Sequence, residues 1–171
     1  MQIPIKKLTN GFEIPSYGMG LSRMGGSDEA DYSQDEEWVQ AIKNAINSGI
    51  THFDTAEVYG AGHNEELLGQ AIKGADRSKL FIASKVWASH QTYDGIMKAC
   101  EDSLKRLGTD YLDLYTMHSF PEPDKPIAKA MRALTELVDQ GVIKNIGASN
   151  FTINRLQAAQ DISPHKIVCN Q

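Results

Sequence analysis

Four residues of types that can act together as a proton donor occur in order along the chain: Asp54, Tyr59, Lys85 and His118. A tyrosine phenol is a weak acid with a reference pKa of about 10, and a neighbouring lysine ammonium favours the phenolate. A carboxylate can hold that lysine in place, and a neutral histidine can donate a hydrogen bond to a carbonyl oxygen. If the four side chains converge, they can support the reduction of a carbonyl group.

The elements that must position these residues alternate between strand and helix patterns. Residues 2–14 first predict a hairpin around the turn signal Asn10-Gly11. Six strands are then predicted, over residues 16–21, 50–54, 80–85, 111–117, 142–148 and 166–169, and five helices, over residues 35–48, 64–73, 92–107, 125–140 and 152–160. Ser33 and Glu36 are spaced as a capping box for the first helix, and Gly49 is placed to end it.

Strands that alternate with helices predict a parallel sheet that is buried on both faces, and hence an α/β fold. A doubly wound nucleotide-binding sheet would carry Gly-x-Gly-x-x-Gly between its first strand and first helix. Residues 18–23 read GMGLSR, which lacks the third glycine. The pattern therefore favours a parallel barrel of the TIM type.

In such a barrel, functional side chains gather at the carboxyl ends of the strands. Asp54 ends the second predicted strand, Lys85 ends the third, and His118 follows the fourth, while Tyr59 lies in the loop after Asp54. Taken singly, residues of these types are more often caps, solvated charges or packed aromatics. A lysine that ends an apolar strand nevertheless needs a partner, and Asp54 is the obvious candidate. Their shared placement therefore indicates a site.

Several ordered motifs resemble the signature of the aldo-keto reductases: residues 54–60 (DTAEVYG), 64–69 (NEELLG), 84–87 (SKVW), 111–115 (YLDLY) before His118, and 141–151 (GVIKNIGASNF). The resemblance extends from the hairpin to the last residue. It implies a (β/α)8 barrel, of which this sequence carries six of eight strands, with residues 1–14 as an amino-terminal hairpin that closes the barrel bottom.

The resemblance also implies a role for each member of the tetrad. Tyr59 would be the general acid, Lys85 the group that favours its ionisation, and Asp54 the carboxylate that pairs with Lys85. His118 would orient the substrate carbonyl. These implied roles agree with the chemistry expected from the residue types alone.

The cofactor implied by the resemblance is NADPH, without a metal. Its nicotinamide carboxamide and ribose would contact six residues: Gly20, Leu21, Asp54, Ser149, Asn150 and Gln171. Trp87 and Phe120 would wall the substrate pocket, although ordinary packing at the barrel top explains both aromatics equally well.

The composition excludes other classes of partner. The 171 residues are 41% hydrophobic and carry a formal charge of −5, which predicts one globular domain and offers no basic stripe to nucleic acid. No apolar run has the length of a membrane span, and the amino terminus has no signal-peptide pattern. We therefore expect a cytoplasmic protein whose partner is a small carbonyl compound, not nucleic acid or a membrane.

A barrel of this type has eight strands and about 250 residues, so residues 1–171 are expected to form a single incomplete barrel domain. Further residues of the same polypeptide, which we favour, or a second chain or a second copy would cover its open edge. The leading functional prediction is an NADPH-dependent reductase of aldehydes or ketones, an activity not expected of the 171 residues alone. The alternatives are a regulatory or binding protein with the same fold and an inactive truncated product. The sequence does not identify the substrate.

Overall fold

The computed structural model describes residues 3–121 and 126–171. It begins with an antiparallel hairpin of β1 (Ile5–Lys7) and β2 (Glu13–Pro15), whose turn carries Gly11 at φ +89°. Asn10 Nδ2 donates to the carbonyl oxygen of Val168 at 2.8 Å, and the Phe12 ring contacts that of Phe81 edge-on at 6.2 Å. The predicted hairpin is confirmed, and it packs under the amino-terminal ends of later strands. Gln2, where the prediction begins, lies outside the described residues.

Six parallel strands follow in a single sheet: β3 (Gly18–Gly20), β4 (His52–Asp54), β5 (Phe81–Val86), β6 (Leu114–Met117), β7 (Ile146–Ala148) and β8 (Ile167–Asn170). Their spatial order is the order of the chain. A doubly wound sheet would reverse its strand order at a switch point, whereas a barrel does not. The six predicted strands and the barrel arrangement are confirmed.

The helices between these strands are α1 (Asp35–Asn47), α2 (His63–Ile72), α3 (Tyr93–Leu107), α4 (Ile127–Asp139) and α5 (Ile153–Ile162). Each predicted helix is present, although Lys125, at the predicted start of the fourth, lies outside the described ranges. Within residues 3–121 and 126–171, no helix has both the length and the apolar character needed to cross a membrane.

The start of α1 differs from the prediction. Gln34 precedes the helix, and no side chain caps it. The backbone N–H of Ser33 donates to Asp31 Oδ1 at 2.9 Å. This local turn holds Ser33 outside the capping position, so the predicted Ser33–Glu36 capping box is wrong. Gly49, at φ +96°, ends the helix as predicted, because its left-handed backbone is one that glycine adopts readily.

The core lies between the sheet and the helices. Strand residues Phe53, Ile82 and Met117 are fully buried, as are Ile96 of α3 and Leu134 of α4. Each such side chain contributes about 1.5–3 kcal/mol through burial. This packing fixes the strands, and therefore the positions of the residues at their carboxyl ends.

Asp113, just before β6, links three segments near the amino-terminal ends of the strands. Its Oδ2 accepts hydrogen bonds from Arg77 Nη2 at 2.8 Å and from the Ile82 N–H at 3.0 Å. Its Oδ1 accepts one from Lys144 Nζ at 3.0 Å. Asp113 is buried, and the negative charge of its carboxylate strengthens all three hydrogen bonds.

We expect Asp113→Asn to lower the free energy of unfolding by about 1–3 kcal/mol, because an amide cannot accept from all three donors. Urea denaturation measures the change. The control is Glu101→Gln, which removes an exposed ion pair with Lys105 and should cost less than about 0.5 kcal/mol. A cost for Asp113→Asn no larger than that of the control would contradict the role of Asp113.

Candidate active site

Lys85 lies near the carboxyl end of β5, with its side chain only 2% exposed. Its Nζ donates to Asp54 Oδ2 at 2.7 Å and to the carbonyl oxygen of Thr55 at 2.9 Å. The hydroxyl oxygen of Tyr59 lies 3.4 Å from the same ammonium. An ammonium buried in an apolar strand is tolerated only with such partners.

A kinked turn, Tyr59–Gly62, positions the tyrosine after β4. Gly60 and Ala61 both have positive φ, at +56° and +52°. The Gly60 N–H donates to the carbonyl oxygen of Ser27 at 2.7 Å, and a Cβ at Gly60 would lie 2.3 Å from the carbonyl oxygen of Gly25. The turn therefore packs directly on the loop after β3, in a space that only glycine fits.

His118 follows β6, where its N–H donates to the carbonyl oxygen of Val86 at 3.0 Å. Its ring stands edge-on to those of Tyr59, with centroids 5.7 Å apart, and Trp87, at 5.1 Å. These contacts place the imidazole between the phenol and the indole.

Burial lowers the pKa of His118, the Lys85 ammonium lowers it further, and Asp54 opposes the shift. The Nδ1 atom is buried and has no hydrogen-bond partner among the described residues, whereas the ring lines a cavity. A proton on Nδ1 would be a buried donor without an acceptor. These contacts assign the neutral form with its hydrogen on Nε2.

That cavity has a volume of about 920 Å³, and Tyr59, Trp87 and His118 all line it. Of the two aromatics predicted to wall a substrate pocket, Trp87 is therefore placed at the cavity. Phe120 packs instead against the Phe151 ring at 5.1 Å and is not among the described residues that line the cavity.

Four of the residues predicted to contact a cofactor, one of them Asp54 of the tetrad, lie close together. Gln171 Nε2 donates to Asp54 Oδ2 at 3.3 Å, and the Ser149 hydroxyl donates to the carbonyl oxygen of Gln171 at 3.1 Å. Asn150, with φ at +60°, donates from Nδ2 to the carbonyl oxygen of His118 at 2.9 Å. Ser149, Asn150 and Gln171 thus form a polar rim next to Asp54 of the tetrad.

The other two predicted cofactor residues lie at the end of β3. Gly20 is paired in register with Asp54, and a Cβ at Gly20 would meet no atom within 4 Å. Leu21 is fully buried in the core, and both of its backbone polar groups are hydrogen-bonded. Its side chain would reach a cofactor only if the core opened.

The polar rim fits the carboxamide of a nicotinamide cofactor, which presents both N–H donors and an oxygen acceptor. Neither Asn150 Oδ1 nor Gln171 Oε1 accepts a hydrogen bond from the part of the chain that the structure describes. These two oxygens can receive the carboxamide N–H groups, and the second N–H of the Gln171 amide can donate to its oxygen.

Sequence reasoning missed Asn64, which links the loops around the tetrad. Its Oδ1 accepts from the Thr55 hydroxyl at 2.5 Å, and its Nδ2 donates to the carbonyl oxygens of Leu21 at 2.6 Å and Met24 at 2.7 Å. Thr55 in turn accepts from Lys85 through its own carbonyl oxygen. Two signals for Asn64 are present in the sequence, its position at the start of a helix after the tyrosine loop and its place in the motif of residues 64–69, but neither indicates which loops it joins.

Glu65, also missed, is a fully buried carboxylate behind β5. It accepts hydrogen bonds from the Ser84 hydroxyl at 2.5 Å and from Arg106 Nε at 2.7 Å. Burial raises the pKa of Glu65, and both Arg106 and Ser84 oppose this shift. Glu65 thereby joins α3 to the strand that carries Lys85.

The comparisons with known proteins find a matching family and relatives of similar fold. The sequence pattern of the aldo/keto reductase family matches residues 17–171. Glyoxal reductase of Bacillus subtilis is 40% identical over 167 residues, which cover 96% of this chain and 56% of that protein.

Two solved structures have a similar fold. The thermostable aldo-keto reductase Tm1743, solved with the inhibitor epalrestat, has a TM-score of 0.94 at 48% identity, over 99% of this chain and 62% of that one. An aldo/keto reductase from Klebsiella pneumoniae, solved with NADP and acetate, has a TM-score of 0.80 at 34% identity, over 93% and 53%. The chain thus spans little more than half the length of these relatives.

We expect the pKa of His118 in the folded protein to lie below the ordinary histidine value of about 6.5. The neutral form then contributes stability above that value, and this contribution is lost as the pH falls through the lower folded-state pKa. An NMR titration of the histidine ring protons, with His118→Gln to assign the signal, measures it. Lys85→Met should bring the pKa of His118 closer to 6.5, because it removes a charge that lowers this pKa. A His118 pKa at or above about 6.5 in the wild-type protein would contradict the assignment of the neutral form.

Proposed function

Because the chain belongs to the aldo/keto reductase family, we propose that the protein reduces the carbonyl group of an aldehyde or ketone with NADPH, using Tyr59 as the general acid. The observation that carries the proposal is the arrangement at Lys85. Its buried ammonium contacts Asp54 at 2.7 Å and lies 3.4 Å from the Tyr59 hydroxyl oxygen.

For the cofactor, the proposal uses the polar rim beside Asp54. Ser149, Asn150 and Gln171 would hold the nicotinamide carboxamide, and Gly20 would leave room beside it. Bound NADPH would supply the hydride that forms the new carbon–hydrogen bond. The relative from Klebsiella pneumoniae that was solved with NADP supports this choice.

The substrate carbonyl would lie in the cavity against Tyr59 and His118. The His118 Nε2–H would donate a hydrogen bond to the carbonyl oxygen and orient it. As negative charge develops on that oxygen, the Tyr59 hydroxyl transfers its proton to it and becomes a phenolate. The Lys85 ammonium stabilises this phenolate, and Asp54 keeps the ammonium in place.

We expect Tyr59→Phe to lower kcat by at least roughly 100-fold, because no other group would then protonate the oxygen in the transition state. The assay follows NADPH oxidation with a panel of small aldehydes, using the whole polypeptide that carries residues 1–171. NADPH affinity, measured by fluorescence titration, should change little, since the carboxamide residues remain. The matched control is Tyr17→Phe, which alters an exposed tyrosine.

Near-normal turnover by Tyr59→Phe would refute the role of Tyr59. If the wild-type protein binds NADPH tightly but reduces none of the carbonyl compounds, this result would instead favour a regulatory or binding function.

A further inference from the structure

Glu57 is a carboxylate beside the tetrad to which the proposed reaction assigns no role. It lies two residues before Tyr59, and its side chain is only 7% exposed although it lines the cavity. Its Oε1 accepts a hydrogen bond from the backbone N–H of Trp87 at 2.5 Å. Both of its carboxylate oxygens lie 3.1 Å from His90 Nδ1. A carboxylate withdrawn from water in this way is retained only where it is hydrogen-bonded.

These contacts join two loops of the site. The backbone N–H of Glu57 donates to the carbonyl oxygen of Lys85 at 3.3 Å, while its side chain reaches Trp87 and His90 in the next turn. Glu57 therefore holds the end of β5 and the 3₁₀ turn Ala88–His90 against the loop that carries Tyr59.

The group held most directly is Trp87. Trp87 is 42% exposed, and its indole makes no hydrogen bond among residues 3–121 and 126–171, so neither full burial nor a hydrogen bond of the ring itself holds it in place. The ring stands edge-on to His118, with an interplanar angle of 87°. The placement of the indole over the imidazole thus depends on the backbone at Trp87, which Glu57 anchors.

A second link fixes the other side of the same turn. Gln91 is fully buried, and its Nε2 donates to the carbonyl oxygens of Val86 at 3.3 Å and Ser119 at 2.9 Å. Since Ser119 adjoins His118, Gln91 fixes the histidine side of the contact between the Trp87 and His118 rings. The Trp87 side is fixed by Glu57.

We propose that Glu57 is a positioning residue that holds Trp87 against His118 and thereby sets the preference of the site for carbonyl compounds with an aromatic substituent. The proposal rests on the proposed reductase function. Glu57 acts on the wall of the cavity through Trp87 and does not touch the reacting atoms. The smallest aldehydes, which need not reach the indole, should be little affected.

The kinetic test compares kcat/KM for benzaldehyde with that for propanal. Glu57→Ala should lower this ratio by roughly tenfold, mainly through the KM for benzaldehyde, because a displaced wall no longer orients the ring. Glu57→Gln keeps an oxygen acceptor for the Trp87 N–H and should retain most of the preference. Glu37→Ala, which removes an exposed carboxylate on α1, is the matched control.

A double-mutant cycle shows whether the effect passes through the indole. Trp87→Ala should lower the same ratio, and adding Glu57→Ala to it should lower the ratio no further. Independent, additive losses would overturn the proposal. So would equal losses of kcat for both aldehydes, which would indicate general destabilisation.

A spectroscopic arm does not depend on activity. The ring protons of His118 sense the indole ring current, so their NMR shifts should change in Glu57→Ala and in Trp87→Ala but not in Glu37→Ala. Unchanged shifts in Glu57→Ala would overturn the proposal. If the wild-type protein reduces neither aldehyde nor any other carbonyl, the proposed function fails, and this arm alone decides whether Glu57 positions Trp87.

Discussion

The buried ammonium of Lys85 is the constraint on which the arrangement of the site depends. A charge withdrawn from water is costly unless oxygens surround it, and those oxygens come from the end of β4 and the residue after it. Asp54 pairs in register with Ala83, so Lys85 extends two residues beyond the level of its carboxylate partner. The alignment of two neighbouring strands therefore determines whether the charge is satisfied. The same requirement holds the start of the loop that carries Tyr59, because the carbonyl oxygen of Thr55 accepts a hydrogen bond from the Lys85 ammonium.

The support around this charge consists of two kinds of contact with different consequences. Apolar packing sets the positions of the strands and tolerates small changes of shape, as cores generally do. Polar links such as those of Asn64 and Glu57 set the loops, and they act through single atoms with fixed directions. A site built at strand ends needs both, since a rigid sheet alone leaves the loops that carry Tyr59 and Trp87 undetermined.

The sequence predicted the fold and the tetrad because both depend on local patterns. Strand and helix periodicity is local, and Asp54, Lys85 and His118 are recognisable by their positions at strand ends. Glu57 and Asn64 were assigned no role, because neither lies at the end of a predicted strand and both hold backbone groups of other loops, which residue types do not reveal. The capping box failed for a related reason, since the spacing of Ser33 and Glu36 carries no information about the competing side chain of Asp31.

The two halves of the site share one oxygen. Asp54 Oδ2 accepts from Lys85 at 2.7 Å and from Gln171 at 3.3 Å, so the tetrad and the polar rim meet at a single carboxylate. The Gln171 contact is the longer and therefore the weaker of the two. A ligand that recruits the Gln171 amide would leave that oxygen to Lys85 alone, without displacing the ammonium from Tyr59. In the proposed reaction, a cofactor bound at the polar rim would thus act on the Asp54–Lys85 contact directly, with no movement of the sheet.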